Sequence, residues 1–313
     1  APLMTFDQCA VAYIDAKKPG WKNAKHADQW TNTINTYASP IIGKLPVAEV
    51  DTALVMKVLQ PIWTTKTETA TRLRSRIESI LGWATVSGYR TGENPARWRD
   101  HLDNLLAKRS KVKKVEHHPA LPYEEMGAFM ADLREQKGMA ALALEYTILT
   151  ASRTGEVIGA RWDEIDLPSK TWTIPPERMK ADKEHLVPLC DRATEILEEL
   201  QPLGGEFVFH GLKPDKPLSN MAMLSLLKRM GRGDLTVHGF RSTFRDWAAE
   251  QTAYPHEMAE MALAHAVSNK TEAAYRRGNL FKKRIRMMQD WQKHCDTTTT
   301  KADVTPINRK GAA

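Results

Sequence analysis

Helical periodicity runs through most of this sequence and breaks once, sharply, at residues 107–120 (AKRSKVKKVEHHPA). Five of the first eight side chains there are Lys or Arg, and no apolar face can be drawn through them. A basic stretch without a period reads as a solvated linker, so the chain is expected to fold as two bodies, one on each side. Its 313 residues suit that division, since domains run to roughly 100–200 residues and bodies of that size need neither disulfides nor metals to hold a core. Hydrophobic residues make up 42% and charged residues 27%, which argues against disorder, collagen-like repetition or a disulfide scaffold. The expected organisation is a helical domain over 1–106, a basic linker over 107–120, a second domain over 121–295 and a disordered tail over 296–313.

The first hundred residues read as helices: Thr5 capping a run to Lys17, then Asn23–Tyr37 punctuated by Pro40 and Gly43, Val47–Ile62, Glu68–Val86 and a short helix over Pro95–Leu106. The Glu68–Val86 run carries its apolar stripe at Leu73, Ile77, Ile80, Leu81 and Ala84, the spacing of one helical face. After Leu121 come expected helices at Tyr123–Gln136 and Met139–Ser152. Thr171–Ile174 alternates, Glu184–Leu189 has β-branched and apolar character, and the two flank a Pro/Lys-rich turn, the pattern of a β-hairpin. Helices resume at Asp191–Leu200, Met221–Met230, Phe240–Gln251, His256–Ala264, Lys270–Arg276 and Leu280–His294. The fold class is therefore mainly α, with a mostly helical second domain carrying a small antiparallel sheet.

The net charge of +7 favours a polyanionic partner, and its distribution is sharper than its size. Residues 1–120 carry +7, residues 121–200 carry −7, and residues 201–313 carry +7. The cysteines Cys9, Cys190 and Cys295 show no CxxC or zinc spacing, which suits a reducing cytoplasm. No apolar run approaches a membrane span and no signal peptide is visible. Residue 1 is Ala, so the chain is expected to begin inside a longer gene product.

Four short constellations could carry chemistry. Arg153 in TASRTGEV sits where one helix ends and another starts, a place where a guanidinium can grip a phosphate or simply cap and pair. Lys180 and Lys183 lie in the hairpin turn (RMKADKEH), able to reach a groove and deliver a proton or only to be solvated. His238 and Arg241, three apart in HGFR, share one helical face and place two potential cations together, a repulsion that a phosphate would relieve. Tyr275 lies ten residues after His265 (LAHAVSNKTEAAYRR); such a tyrosine usually packs, but its hydroxyl can attack phosphorus when cations stabilise the anion.

The ordered series, Arg, hairpin Lys, His-x-x-Arg, Leu-Ala-His and Tyr, resembles the tyrosine recombinase (phage integrase) family. TASRTGEV, RMKADKEHLVPL, HGFRSTFRDWAAE and LAHAVSNKTEAAYRR are especially similar to integrases of prophages and genomic islands. The resemblance covers 121–295 most strongly and implies that this part is the catalytic domain and 1–106 the core-type DNA-binding domain. It implies that Arg153 and Arg241 clamp the scissile phosphate, that Lys180 (with Lys183 as rival) is the general acid, and that His238 moves protons and positions the phosphate. His265, at the second His/Trp position, would donate a hydrogen bond to the phosphate, Tyr275 would be the nucleophile, and Glu156 a partner orienting the site. It further implies duplex DNA with attachment-site core sequences as substrate, a synaptic tetramer, DNA-bending accessory or excision factors, and a cytoplasmic, nucleoid-associated enzyme with no cofactor, metal or membrane partner. The small arm-site-binding domain usual in such integrases has no room before Thr5, and the basic helix from Phe281 could pack on a neighbouring protomer, complete its own core or touch DNA. The rival readings are a non-catalytic DNA-binding regulator, a topoisomerase IB-like relaxing enzyme, and a metal-dependent nuclease drawing on His117, His118 and His185.

Overall fold

Thr5 starts the first helix as expected: its hydroxyl accepts from the Gln8 backbone N–H while the Gln8 side chain accepts from the Thr5 N–H at 2.9 Å, a reciprocal cap. This computed structural model describes residues 3–21, 24–112, 119–213, 215–265 and 280–298. The chain divides into two compact units, 1–116 and 117–313.

In the first unit, α1 (Phe6–Lys17), α2 (Ala24–Thr33), α3 (Thr52–Trp63) and α4 (Thr67–Val86) enclose a core that includes Phe6, Ile34, Leu59, Leu73 and Ile77. The second helix runs past Tyr37 as a widened π-type segment, Ile34–Gly43, that takes in Pro40. The helix expected from Val47 begins later, because Asp51 caps it by accepting from the Leu54 N–H at 2.8 Å. The helix expected at Pro95–Leu106 is replaced by turns with a single 3-10 turn at Leu102–Asn104. Asn94 explains part of this: its side chain accepts from the Ala96 N–H at 3.0 Å and donates to the Glu78 carbonyl at 2.7 Å, pinning the turn at 94–97 to α4. Part of the stretch read as linker is folded too. Arg109–Val112 forms a turn of helix, α5, Arg109 pairs with Glu68, and the Trp63 indole donates to the Ala107 carbonyl at 2.9 Å. Residues 113–118, with His117 and His118, lie outside the described residues.

The second unit packs α6 (Met126–Arg134), α7 (Met139–Thr150), α8 (Thr154–Ile158), α9 (Asp191–Leu200), α10 (Ala222–Arg229), α11 (Gly239–Gln251), α12 (His256–Ala262) and α13 (Phe281–Asp296) around one core. The expected hairpin is present, Thr171–Ile174 paired antiparallel with His185–Pro188, with Ile174 opposite His185. A two-residue strand extends it to three strands in the order β1 (Ile165–Asp166), β2 (Thr171–Ile174), β3 (His185–Pro188); so short an element as β1 leaves no alternation to read. Helix α7 is buried along nearly its whole length, and Glu145 within it is offset by Arg134 at 2.7 Å and Arg192 at 3.1 Å. The indole of Trp291 on α13 donates to the Ile148 carbonyl at 2.9 Å, so the basic helix from Phe281 completes this unit's own core. The segment Lys270–Arg276 and residues 299–313 of the tail lie outside the described residues.

Candidate active site

Helix α7 ends because Ala151 adopts a left-handed conformation (φ 50°), which turns the chain so that Arg153 becomes the N-cap of α8. Glu156, buried one turn on, accepts from the Arg153 backbone N–H at 2.8 Å and from its Nη1 at 2.7 Å. The capping carboxylate thereby fixes the arginine side chain. The remaining Nη2 donates to the Ala264 carbonyl at 3.2 Å.

Arg241 approaches from α11 and is 4% exposed. It donates to the Ala151 and Leu263 carbonyls, and its Nη2 lies 3.2 Å from His265 Nε2. One guanidinium thus ties the end of α7 to the turn after α12, the two places from which Arg153 and His265 project. Burial, and then the Arg153 charge, bring its pKa down to about 10, with Glu156 and Glu260 opposing. It remains a cation at neutral pH, in a setting that an anion would relieve.

His265 is anchored twice on Glu260. Its backbone N–H donates to the Glu260 carbonyl at 2.9 Å, and Nδ1 lies 2.8 Å from Glu260 Oε2. His238 stands at the N-cap of α11, exposed, one turn before Arg241. The glycine that follows it is required: a Cβ on Gly239 would stand 2.1 Å from the Pro119 carbonyl oxygen.

Lys180 and Lys183 are both exposed in the β2–β3 turn and make no hydrogen bond or ion pair among the described residues. The base of that turn is fixed nonetheless. Arg178 donates to both Glu164 carboxylate oxygens and to the Glu156 carbonyl, joining the turn to α8. Arg153, Glu156, Arg241 and His265 are therefore assembled at one place, His238 lies one turn away on the same helix as Arg241, and Lys180 is two residues from an arginine bonded to Glu156. Tyr275 lies outside the described residues.

Three groups escaped the sequence reading. In sequence Arg178 is one more basic residue of the hairpin turn, and Glu260 carries no motif beyond its position five residues before His265. His185 stands out in sequence only as a candidate metal ligand. Burial, and then the charge of Arg284, lower its pKa from 6.5 to about 4, with Arg153 adding to the shift and Glu156 and a hydrogen bond with the Ala262 backbone opposing it. It is a neutral imidazole among guanidiniums. Among the described residues, no group of three or more His, Cys, Asp or Glu side chains could hold a metal ion.

Residues 120–280 match the model of the phage integrase family, and residues 6–101 match that of the phage integrase central domain. The prophage integrase IntZ of Escherichia coli K12 is 33% identical over 93% of this chain and 71% of its own length. IntA of the same organism is 31% identical over 87% of this chain and 67% of its own length. Among solved structures, a lambda integrase dimer bound to a COC′ core site superposes with a TM-score of 0.67 at 18% identity, over 84% of this chain and 96% of that one. The Tn1549 transposon integrase in complex with transposon right end DNA reaches 0.64 at 12% identity, over 91% and 98%. These two likenesses establish the mainly helical fold. The family matches, with the relatives above 30% identity, go further: the chain belongs to the phage integrase family of tyrosine recombinases, enzymes of site-specific DNA recombination.

Proposed function

We propose that this chain cuts and rejoins duplex DNA at attachment-site core sequences through a 3′-phosphotyrosyl intermediate on Tyr275, in the integration and excision of a prophage or genomic island. The observation that carries the reading is the convergence of Arg153, Arg241 and His265 on one spot, two guanidiniums and an imidazole brought together by the carbonyls of Leu263 and Ala264. In-line displacement at a phosphodiester spreads charge over the non-bridging oxygens, and fixed donors aimed at those oxygens stabilise it. The Tyr275 oxygen forms a bond to phosphorus as the bond from phosphorus to the 5′ oxygen breaks. Lys180 supplies the proton that the departing 5′ oxygen takes up, and His238 receives the tyrosine proton and positions the phosphate. Glu156 keeps Arg153 in place. One phosphoester replaces another, so attack by a 5′ hydroxyl from a second strand reverses the chemistry and completes the exchange without ATP.

The supporting relatives act in assemblies: solved structures include a lambda integrase dimer on a core site and a tetramer on a Holliday junction. By analogy the working form here is a synaptic tetramer on DNA, acting in the cytoplasm at the nucleoid and aided by DNA-bending accessory or excision factors. A nicked suicide duplex carrying the core sequence tests the reading, since loss of the short 5′-hydroxyl fragment prevents religation. An SDS-resistant protein–DNA adduct should form in EDTA and be absent with Tyr275→Phe. No adduct would leave the regulator reading, and an adduct with relaxation of plasmids of any sequence would favour a topoisomerase.

A further inference from the structure

His265 faces a chemical difficulty in the role just given to it. A guanidinium carries N–H donors and no acceptor, so at the 3.2 Å contact between Arg241 Nη2 and His265 Nε2 the histidine must accept. Its proton then sits on Nδ1, where it is donated to Glu260 Oε2 at 2.8 Å. In this state His265 turns a lone pair, not a proton, toward the place Arg241 occupies. A phosphate oxygen offers only lone pairs, so contact with it needs a proton on Nε2.

Two routes supply one. Shifting the Nδ1 proton to Nε2 would set the Nδ1 lone pair against the Glu260 carboxylate, which accepts and cannot donate. Adding a second proton makes an imidazolium lying between two anions, Glu260 and the phosphate, and turns both contacts into charge-assisted hydrogen bonds. The second route wins wherever the carboxylate is held in place, and here it is. Arg245, from α11, lies 2.8 Å from Glu260 Oε1, and His256 lies 3.7 Å from the same oxygen. Among the described residues, the other charged groups facing His265 are cations: Arg241 itself, and Arg153 through its bond to the adjoining Ala264 carbonyl. Glu260 is the carboxylate in contact with the ring, and it offsets them.

We infer that Glu260 is the positioning residue that makes His265 a donor to the scissile phosphate, holding one proton on Nδ1 and stabilising a second taken up on Nε2 as the phosphate seats. This rests on the phosphoryl-transfer reading above. It ties cleavage to proton uptake, so the rate should fall as pH rises and the second proton is no longer held. Glu260→Gln should behave differently. Its amide can turn an N–H toward Nδ1, which lets a neutral ring carry its single proton on Nε2.

The test is single-turnover cleavage of the nicked suicide duplex from about pH 6 to about pH 9. Glu260→Gln should cleave roughly 10-fold more slowly than wild type near neutrality, the lower end of what displaced supporting partners cost, and should lose the alkaline fall. In a His265→Trp background, whose indole N–H needs no second proton, Glu260→Gln should add nothing. A Glu260→Gln enzyme with wild-type rate and pH profile overturns the inference, as does an equal loss in both backgrounds, which would mark Glu260 as merely structural. A wild-type enzyme that forms no adduct overturns the phosphoryl-transfer reading instead, whatever the variants do.

Discussion

The arginine floor of the site and the β2–β3 turn are built in opposite ways. Arg241 is 4% exposed and its two terminal nitrogens are directed at Ala151, Leu263 and His265, so its direction is set before any DNA arrives. Lys180 and Lys183 are exposed and bonded to no described residue, although Arg178, just before them, is tied to Glu156 and Glu164. The contrast follows the demands of the two jobs proposed for these groups. Groups that stabilise developing charge work best when already oriented, because no reorganisation is then needed as the charge appears. A proton donor needs reach and a firm base, and can find its geometry once the leaving oxygen is present.

The largest effect should come from breaking the floor. Arg241→Lys keeps a charge but cannot place a planar fork across two carbonyls, and removing a fixed donor of this kind costs on the order of 10²–10³ in rate. We expect cleavage near the upper end of that loss, with affinity for the core duplex, measured by gel shift, little changed. Arg153→Lys should cost less, because Glu156 still accepts from the backbone N–H at position 153. If Arg241→Lys cleaves within a few-fold of wild type, the floor is scaffolding and not a clamp.

Next in size is the turn. Lys180→Ala should slow cleavage by about 10², the low end of general-acid effects, and a 5′-thio leaving group should restore the rate because sulfur departs without a proton. Thermal stability should move by no more than about 0.5 kcal/mol, as for an exposed side chain with no partner. If Lys183→Ala is the variant that sulfur rescues, the two lysines exchange roles. If neither is rescued, the turn donates no proton.

The two regions were also unequally legible in the sequence. Arg153 and Arg241 stand out in sequence through the ordered series to which they belong, each in a local setting, a helix junction and one helical face. Thr171–Ile174 and Asp191–Leu200 match the structure to the residue, since alternation and amphipathic spacing are local signals. What escaped is what depends on distant partners. Nothing near Arg178 announces its bond to the Glu156 carbonyl, twenty-two residues back in the chain. Nothing near Glu260 announces Arg245, held opposite it by the packing of α11 on α12. The helix expected at Pro95–Leu106 failed for the same reason, because Asn94 reaches Glu78 and so competes with a local helical turn.

The smallest effect probes where the two regions meet. His185 begins β3, opposite Ile174, and hydrogen-bonds the backbone of Ala262, the last residue of α12 before the turn that carries His265. Burial and the neighbouring guanidiniums keep it neutral, with a pKa of about 4 in the fold against 6.5 for an ordinary histidine. Between those values the unfolded chain binds the proton and the folded chain does not. The stability this group contributes is therefore complete above about pH 6.5 and is lost as pH falls toward 4. For a partly shielded ring this amounts to on the order of 1–2 kcal/mol between pH 7 and pH 5. Urea unfolding at the two pH values should show that loss in wild type and a clearly smaller one in His185→Gln, which keeps a hydrogen-bonding side chain and removes the titration. Equal losses in both would mean that His185 is not the neutral group between strand and floor, and that the turn and the arginines are less tightly joined than Arg178 alone suggests.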